Sequence, residues 1–261
     1  MEVKACIFTD AGKKRRINQD AAMIKVANTL RHGRISFIAV CDGMGGLSKG
    51  EVASCKAVRA LEGWFCEEFA LMQDLEEDKL WDTVETSLRR LIVKTAAEIK
   101  RYARHRGINM GTTLTALLQI GKRYITVNVG DSRIYCVGRE KAECLTRDQS
   151  VVADKVRRGE ISESLAESDP QKNVLLQCVG SSREVEPDVT RGEFDGDTTV
   201  VACSDGLWRT LEKELLHKRL CPQMCITPED MLIQSKKLAQ EAFDKHEEDN
   251  ISIAAMCLQY S

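Results

Sequence analysis

At 261 residues the chain is long enough to bury a sizeable core, in one large domain or two small ones. Its 43% hydrophobic and 30% charged residues exclude a disordered chain, and 38 Lys and Arg against 40 Asp and Glu leave a net charge of −2, too little for a global field that would draw nucleic acid or an anionic membrane. No run approaches the roughly 18 apolar residues of a membrane-crossing helix, and MEVKACIFTDAGKKRR opens without the apolar core of a secretory signal.

Short β-branched runs come first: VKACIF, AAMIKV and RISFIAV, each with strand character. Apolar residues at helical spacing then predict two successive amphipathic helices, over 51–72 and 79–103. A second strand group follows, TTLTALLQI, YITVNVG, RIYCVG and AECLT, with hairpin turns expected at Gly121-Lys122 and Gly138-Arg139. A polar, mostly helical stretch is predicted from about Gln149 to Gln177. TRGEF and TTVVACS are strands, 228–245 is a helix, and ISIAAMCL is a last strand. Strands grouped at both ends around a helical pair are not βαβ alternation; they predict an α+β layered fold of antiparallel sheets covered by helices. First and last strands that both look buried imply one closed unit, and the loop-like 149–190 region is the expected flap.

Eleven cysteines, an odd number without a signal, argue against a disulfide framework and for a reducing, cytoplasmic setting. Cys41, Cys203 and Cys257 sit inside apolar runs and are expected to be buried. His217, Cys221 and Cys225 offer three ligands where structural zinc takes four, with Pro222 between them, so no zinc site is expected.

The aspartates carry more information. Asp42, Asp131 and Asp205 each end an apolar run, while Asp20 and Asp249 each stand just before one. A single Asp there is an ordinary turn residue. Several on rigid strands can converge at one end of a sheet, where they repel one another unless cations lie between them. Hard oxygen donors without His or Cys suit Mg²⁺ or Mn²⁺. Gly43 and Gly206, directly after two of these aspartates, allow a close approach by backbone or ion.

TDAGKKRRINQDA, AVCDGMGGLSKGEVAS, GTTLTALL, VNVGDSRIY, LTRDQS, CSDGLW and EDNIS occur in this order between residues 9 and 253. Together they make the chain resemble a bacterial-type, metal-dependent protein serine/threonine phosphatase of the protein phosphatase 2C family. The resemblance implies a β-sandwich of two antiparallel sheets flanked by pairs of α-helices, a four-layer αββα fold, and a single catalytic domain over 1–261. It implies that Asp42 bridges two Mn²⁺ or Mg²⁺ ions, that the Gly43 carbonyl binds the second, and that Asp205 and Asp249 complete the first site. Asp20 would hydrogen-bond metal waters, and Asp131 with Asp205 would hold a weaker third ion. Arg15 aligns with the arginine that grips the substrate phosphate, with Arg16 its solvent-facing neighbour. Water activated between the ions would attack phosphorus in line with the leaving Ser or Thr oxygen. The implied partners are phosphoserine and phosphothreonine proteins and a cognate Ser/Thr kinase, acting with a monomer and without nucleic acid or membrane.

Two positions depart from the family pattern. Met44 stands where eukaryotic relatives have a His, so the leaving oxygen must take its proton from elsewhere, and Asp148-Gln149-Ser150 replaces the usual Asp-His-Ser. Neither touches a metal ligand, which weighs against a catalytically dead, phosphatase-like binding protein. A cysteine phosphatase is a further alternative, because Cys203 to Arg209 spells C-x-x-G-x-x-R. Asp205 inside that loop would repel both phosphate and thiolate. A nucleotide-binding loop is excluded by Glu51 in the P-loop lysine position and by Ser48 in place of the third glycine of a dinucleotide motif.

Overall fold

The computed structural model describes residues 1–44, 49–166 and 168–260; Gly45 and Ser48 of the glycine-rich loop lie outside them. The chain opens with β1 (Glu2–Asp10), β2 (Asp20–Thr29) and β3 (Gly33–Met44). Helix α1 (Gly50–Gly63) runs on into a π-helical turn, Trp64–Glu68, and a 3₁₀ turn, Phe69–Leu71, before α2 (Glu77–Arg106). Next come β4 (Gly111–Thr112), β5 (Leu114–Ile120), β6 (Arg123–Val129), β7 (Arg133–Val137) and β8 (Ala142–Cys144). Two short helices follow, α3 (Val151–Arg157) and α4 (Glu163–Ala166), then β9 (Asp188–Glu193) and β10 (Thr198–Cys203). The last part holds α5 (Asp205–Trp208), α6 (Lys213–Leu220), α7 (Pro228–Asp244) and β11 (Ile251–Gln259).

Two antiparallel sheets result. One is ordered β1-β11-β10-β7-β8; the other is ordered β2-β3-β5-β6-β9, with β4 attached to β3. Strand alternation explains the layering, because successive side chains point to opposite faces. On β3, Ile35, Phe37, Ala39 and Cys41 pack towards α1 and α2, while Ile38 and Val40 enter the space between the sheets. On β10, Val200 and Ala202 face that same space, while Val201 and Cys203 pack towards α6 and α7. Central strands with both faces covered therefore read as continuous apolar runs. The expected four-layer α+β sandwich is the fold found.

The first and last strands pair over their whole length, from Glu2 opposite Gln259 to Asp10 opposite Ile251. β11 is buried, but β1 lies at the sheet edge and is half-exposed, so only one of the two is a core strand. The helical expectation for 149–177 is corrected: among the described residues there, only α3 and α4 form. Gly159, at φ +71, ends α3, and side chains such as Asp169, which accepts from the Gln171 N–H at 2.7 Å, bond locally in place of a helix. No helix of the described residues is long and apolar enough to cross a membrane.

Candidate active site

Antiparallel pairing decides which strand ends meet. Asp20, at the start of β2, lies directly opposite Asp42 near the end of β3. β6 is two antiparallel steps from β3, so it runs in the same direction and delivers Asp131, just past its end, to the same rim. In the other sheet β10 and β11 are antiparallel, which puts Asp205, after β10, beside Asp249, before β11. A hydrogen bond joins the two sheets here: the Ser204 hydroxyl donates to Asp20 Oδ2 at 2.8 Å. All five predicted aspartates thus stand at one end of the sandwich.

Their backbones are held by neighbours from other strands. The Asp42 N–H donates to Thr113 Oγ1 at 2.8 Å, and the Thr112 hydroxyl donates to the Asp42 carbonyl at 2.9 Å. Asn250 is a hub: its Oδ1 accepts from the Gln19 N–H at 2.9 Å, and its Nδ2 donates to the Ala11 carbonyl at 2.8 Å. It fastens the loop that carries Arg15 to the segment that carries Asp249. Both Asp-Gly glycines are required by close approach. A Cβ on Gly43 would sit 2.3 Å from the Gly50 carbonyl oxygen, and one on Gly206 would sit 2.3 Å from that of Asn250. Thr112, Thr113, Ser204 and Asn250 fall inside motifs visible in the sequence, but their roles depend on partners contributed by distant strands.

The site is strongly anionic. Burial pushes the Asp20 carboxyl up to about 7, and its neighbours Asp205 and Asp249 add to the effect. Burial also raises Asp131 to about 7, with Asp205 adding to the rise and Arg209 opposing it. Asp42 is held well above the usual carboxylate range by burial and by the charges of Asp20, Asp205 and Asp131. Burial raises Asp205 as well, with Arg209 opposing the rise and Asp249 adding to it. Two buried oxygens, Asp20 Oδ1 and Asp205 Oδ1, have no hydrogen-bond partner among the described residues. Such orphans are costly unless a cation or water meets them.

Two arginines share in the neutralisation. Arg15 Nη2 lies 3.0 Å from Asp249 Oδ2, and Arg209 Nη2 lies 2.7 Å from Asp205 Oδ2. Among the described residues no three His, Cys, Asp or Glu side chains already surround one point. The donor set nevertheless fits a hard divalent ion: it is all oxygen, largely desolvated, and leaves lone pairs unused. Arg15 and Arg16 are both exposed, but Arg15 is the one that faces the aspartates.

Other expectations resolve differently. Cys203 is fully buried on the helix-facing side of β10, and burial pushes its thiol well up, away from the thiolate. Arg209 bonds Asp131 and Asp205, so the C-x-x-G-x-x-R reading has neither its nucleophile nor its phosphate cradle. Cys225 is buried against Thr199 and the Leu220 carbonyl, while His217 meets the Arg139 carbonyl. They do not form a zinc site. Gln149 fills its position by bonding: its Oε1 accepts from the Gly130 N–H at 3.0 Å and its Nε2 donates to the Glu186 carbonyl at 3.0 Å. Met44 lines a cleft of about 450 Å³ beside the aspartates, facing Leu175, Leu176 and Cys178 of the 149–190 segment.

Comparison with known proteins agrees with this geometry. The family described as Protein phosphatase 2C matches residues 11–241. The serine/threonine phosphatase stp of Listeria monocytogenes is 37% identical over 201 residues, covering 76% of this chain and 75% of its own length. Protein phosphatase PhpP of Streptococcus pneumoniae is 32% identical over 202 residues, 77% of each chain. Among solved structures, serine/threonine phosphatase Stp1 from Staphylococcus aureus superposes with a TM-score of 0.82 at 29% identity, covering 99% of this chain and 96% of that one.

Proposed function

The chain belongs to the protein phosphatase 2C family and is a metal-dependent protein serine/threonine phosphatase, and from that premise we propose how its own residues divide the work. Asp42, the Gly43 carbonyl, Asp205 and Asp249 would hold two Mn²⁺ or Mg²⁺ ions, within one catalytic domain over 1–261. Bound there, the ions would lower the pKa of water towards neutrality and offset charge on the phosphoryl group. Asp20, fixed by Ser204, presents its free Oδ1 as a hydrogen-bond acceptor at the same point. Arg15 orients the phosphate, since its planar fork meets two oxygens at once. That guanidinium is already aimed at the carboxylates, and it turns to substrate when Asp249 gives up the pair. Asp131 and Asp205 form a further anionic pair that needs a cation of its own.

The segment from 149 to 190 is the flap. It walls the Met44 cleft, where polypeptide flanking the phosphorylated residue can lie. The substrates are phosphoserine and phosphothreonine proteins, so a protein Ser/Thr kinase is the reaction class that must supply them. The setting we assign is the cytoplasm, with the protein acting as a monomer.

The observation that carries the assignment is the pair of buried, unpartnered oxygens on Asp20 and Asp205, at the end of the sandwich to which five strand-end aspartates are delivered. Hydrolysis of p-nitrophenyl phosphate and of a phosphothreonine peptide, with and without Mn²⁺ after chelation, tests it. Ion counts on Asp42→Asn, Asp205→Asn and Asp249→Asn should each fall below that of the wild type. Undiminished counts in all three would move the centre elsewhere.

A further inference from the structure

Asp131 and Asp205 come from different sheets, yet a single side chain ties them together. Arg209 Nη2 lies 2.7 Å from Asp205 Oδ2 and 3.3 Å from Asp131 Oδ2. The two carboxylates are 11% and 5% exposed, and the arginine side chain 24%. Two anions in so dry a place require a positive partner, and here that partner is part of the chain.

The position of Arg209 is built rather than incidental. It follows directly after α5, and its N–H donates to the Asp205 carbonyl at 3.0 Å, so the helical turn itself returns the side chain over the Asp205 carboxylate. The preceding residue, Trp208, donates its indole N–H to the Asp131 carbonyl at 2.8 Å. The face of that indole carries the Arg133 guanidinium 3.5 Å from its centre, and Asp148 holds Arg133 through bonds of 3.0 and 2.7 Å. Trp208 therefore fixes the backbone of Asp131 while Arg209 holds its carboxylate. Asp205 faces two ways: its Oδ2 is taken by Arg209, and its Oδ1 is buried without a partner.

We infer that Arg209 is a built-in counter-cation for the Asp131–Asp205 pair and takes the place that a third metal ion would occupy, so this phosphatase works with two ions. The inference rests on the assignment of Asp42, Gly43, Asp205 and Asp249 to the two core ions. A guanidinium cannot be deprotonated in a protein, and a tethered one cannot dissociate. Neutralisation at Asp131 is thus independent of metal concentration, and the Oδ1 side of Asp205 remains for the core.

Manganese counted per chain by equilibrium dialysis and elemental analysis, at millimolar free Mn²⁺, tests this. Wild type should hold two ions, and Asp131→Ala should still hold two. Arg209→Gln should hold three, the third the weakest and lost again in the Arg209→Gln/Asp131→Ala double variant, whereas Arg209→Lys should stay at two. A third ion in wild type that Asp131→Ala removes overturns the inference, and so does an Arg209→Gln protein that stops at two. The Asp131→Ala arm decides the matter even if Arg209→Gln does not fold. A wild-type count below two sinks the core assignment instead, which distinguishes the two failures.

Discussion

Arg15 and Arg16 are adjacent, equally charged and both exposed, yet only the first is drawn to the aspartates, at 3.0 Å from Asp249. Arg15→Ala should raise KM for a phosphopeptide about tenfold or more, in line with loss of a bidentate charged contact worth 1.5–3 kcal/mol, and leave the Mn²⁺ count unchanged. Arg16→Ala should be the milder change in the same steady-state assay; the reverse order would put the register of this loop in error. Cys203 and Asp205 are two residues apart and face different surroundings. Cys203→Ser places a hydroxyl in the apolar layer beneath α6 and α7 and should cost about 1–3 kcal/mol in urea unfolding, with kcat per folded molecule retained. Asp205→Asn should abolish turnover. A trapped phosphocysteine would contradict this division. The aspartates were legible at this scale because a charge that ends an apolar run stands out in a linear string. Ser204, Thr113 and Asn250 were not, because a hydroxyl or amide acquires its role only from its partner.

At the scale of elements, Gly206 shows how a turn is tied to its neighbour. A Cβ there meets the Asn250 carbonyl at 2.3 Å, so Gly206→Ala must displace the turn that carries Asp205, the segment that carries Asp249, or both. Mn²⁺ affinity measured by calorimetry should fall far more than thermal stability does, and unchanged affinity would mean that the turn tolerates the methyl. Helix α7 makes the opposite case. Thr227 and Asp230 form a reciprocal capping box at its start, and the helix covers the outer face of a sheet rather than the aspartates. Thr227→Ala should therefore lower stability by about 1 kcal/mol with kcat unchanged. Periodicity located α7 and α2 well, but it treated 51–72 as one helix. A π-helical turn at 64–68 intervenes, where Trp64 and Phe65 both pack on Phe37 and both also pack on Phe69, with ring centres 5.4–5.6 Å apart; regular 3.6-residue winding would not keep Trp64 and Phe69, five residues apart, on one face. Helix α6 leaves no such signal, because eight residues are too few for a period to register.

For the whole molecule, the cluster of aspartates sets stability as well as activity. Five carboxylates at one end of the sandwich repel, and ions that bind only the folded state should raise the melting temperature with concentration. Chelated protein should lose phosphatase activity and melt several degrees lower than protein in millimolar Mn²⁺, by the usual conversion of about 4 °C or less per kcal/mol for a chain this long. Asp205→Asn should lose most of that shift. A melting temperature indifferent to Mn²⁺ would argue against ions at this end of the fold.

The layered α+β architecture, the places where strands end and the aspartates at those ends can all be read from the linear chain. Each of these is a local pattern: an apolar run, a period, a charge that stops it. Which ends meet is a property of the folded chain, because antiparallel order places Asp20 opposite Asp42 although 22 residues separate them, and sheet packing brings Ser204 to Asp20 across 184. The fold also reassigns Arg209. In the linear string that residue completes a cysteine-phosphatase loop; in space its guanidinium bridges Asp131 and Asp205. Charge pairing is settled by distance through the fold, and sequence separation carries no record of it.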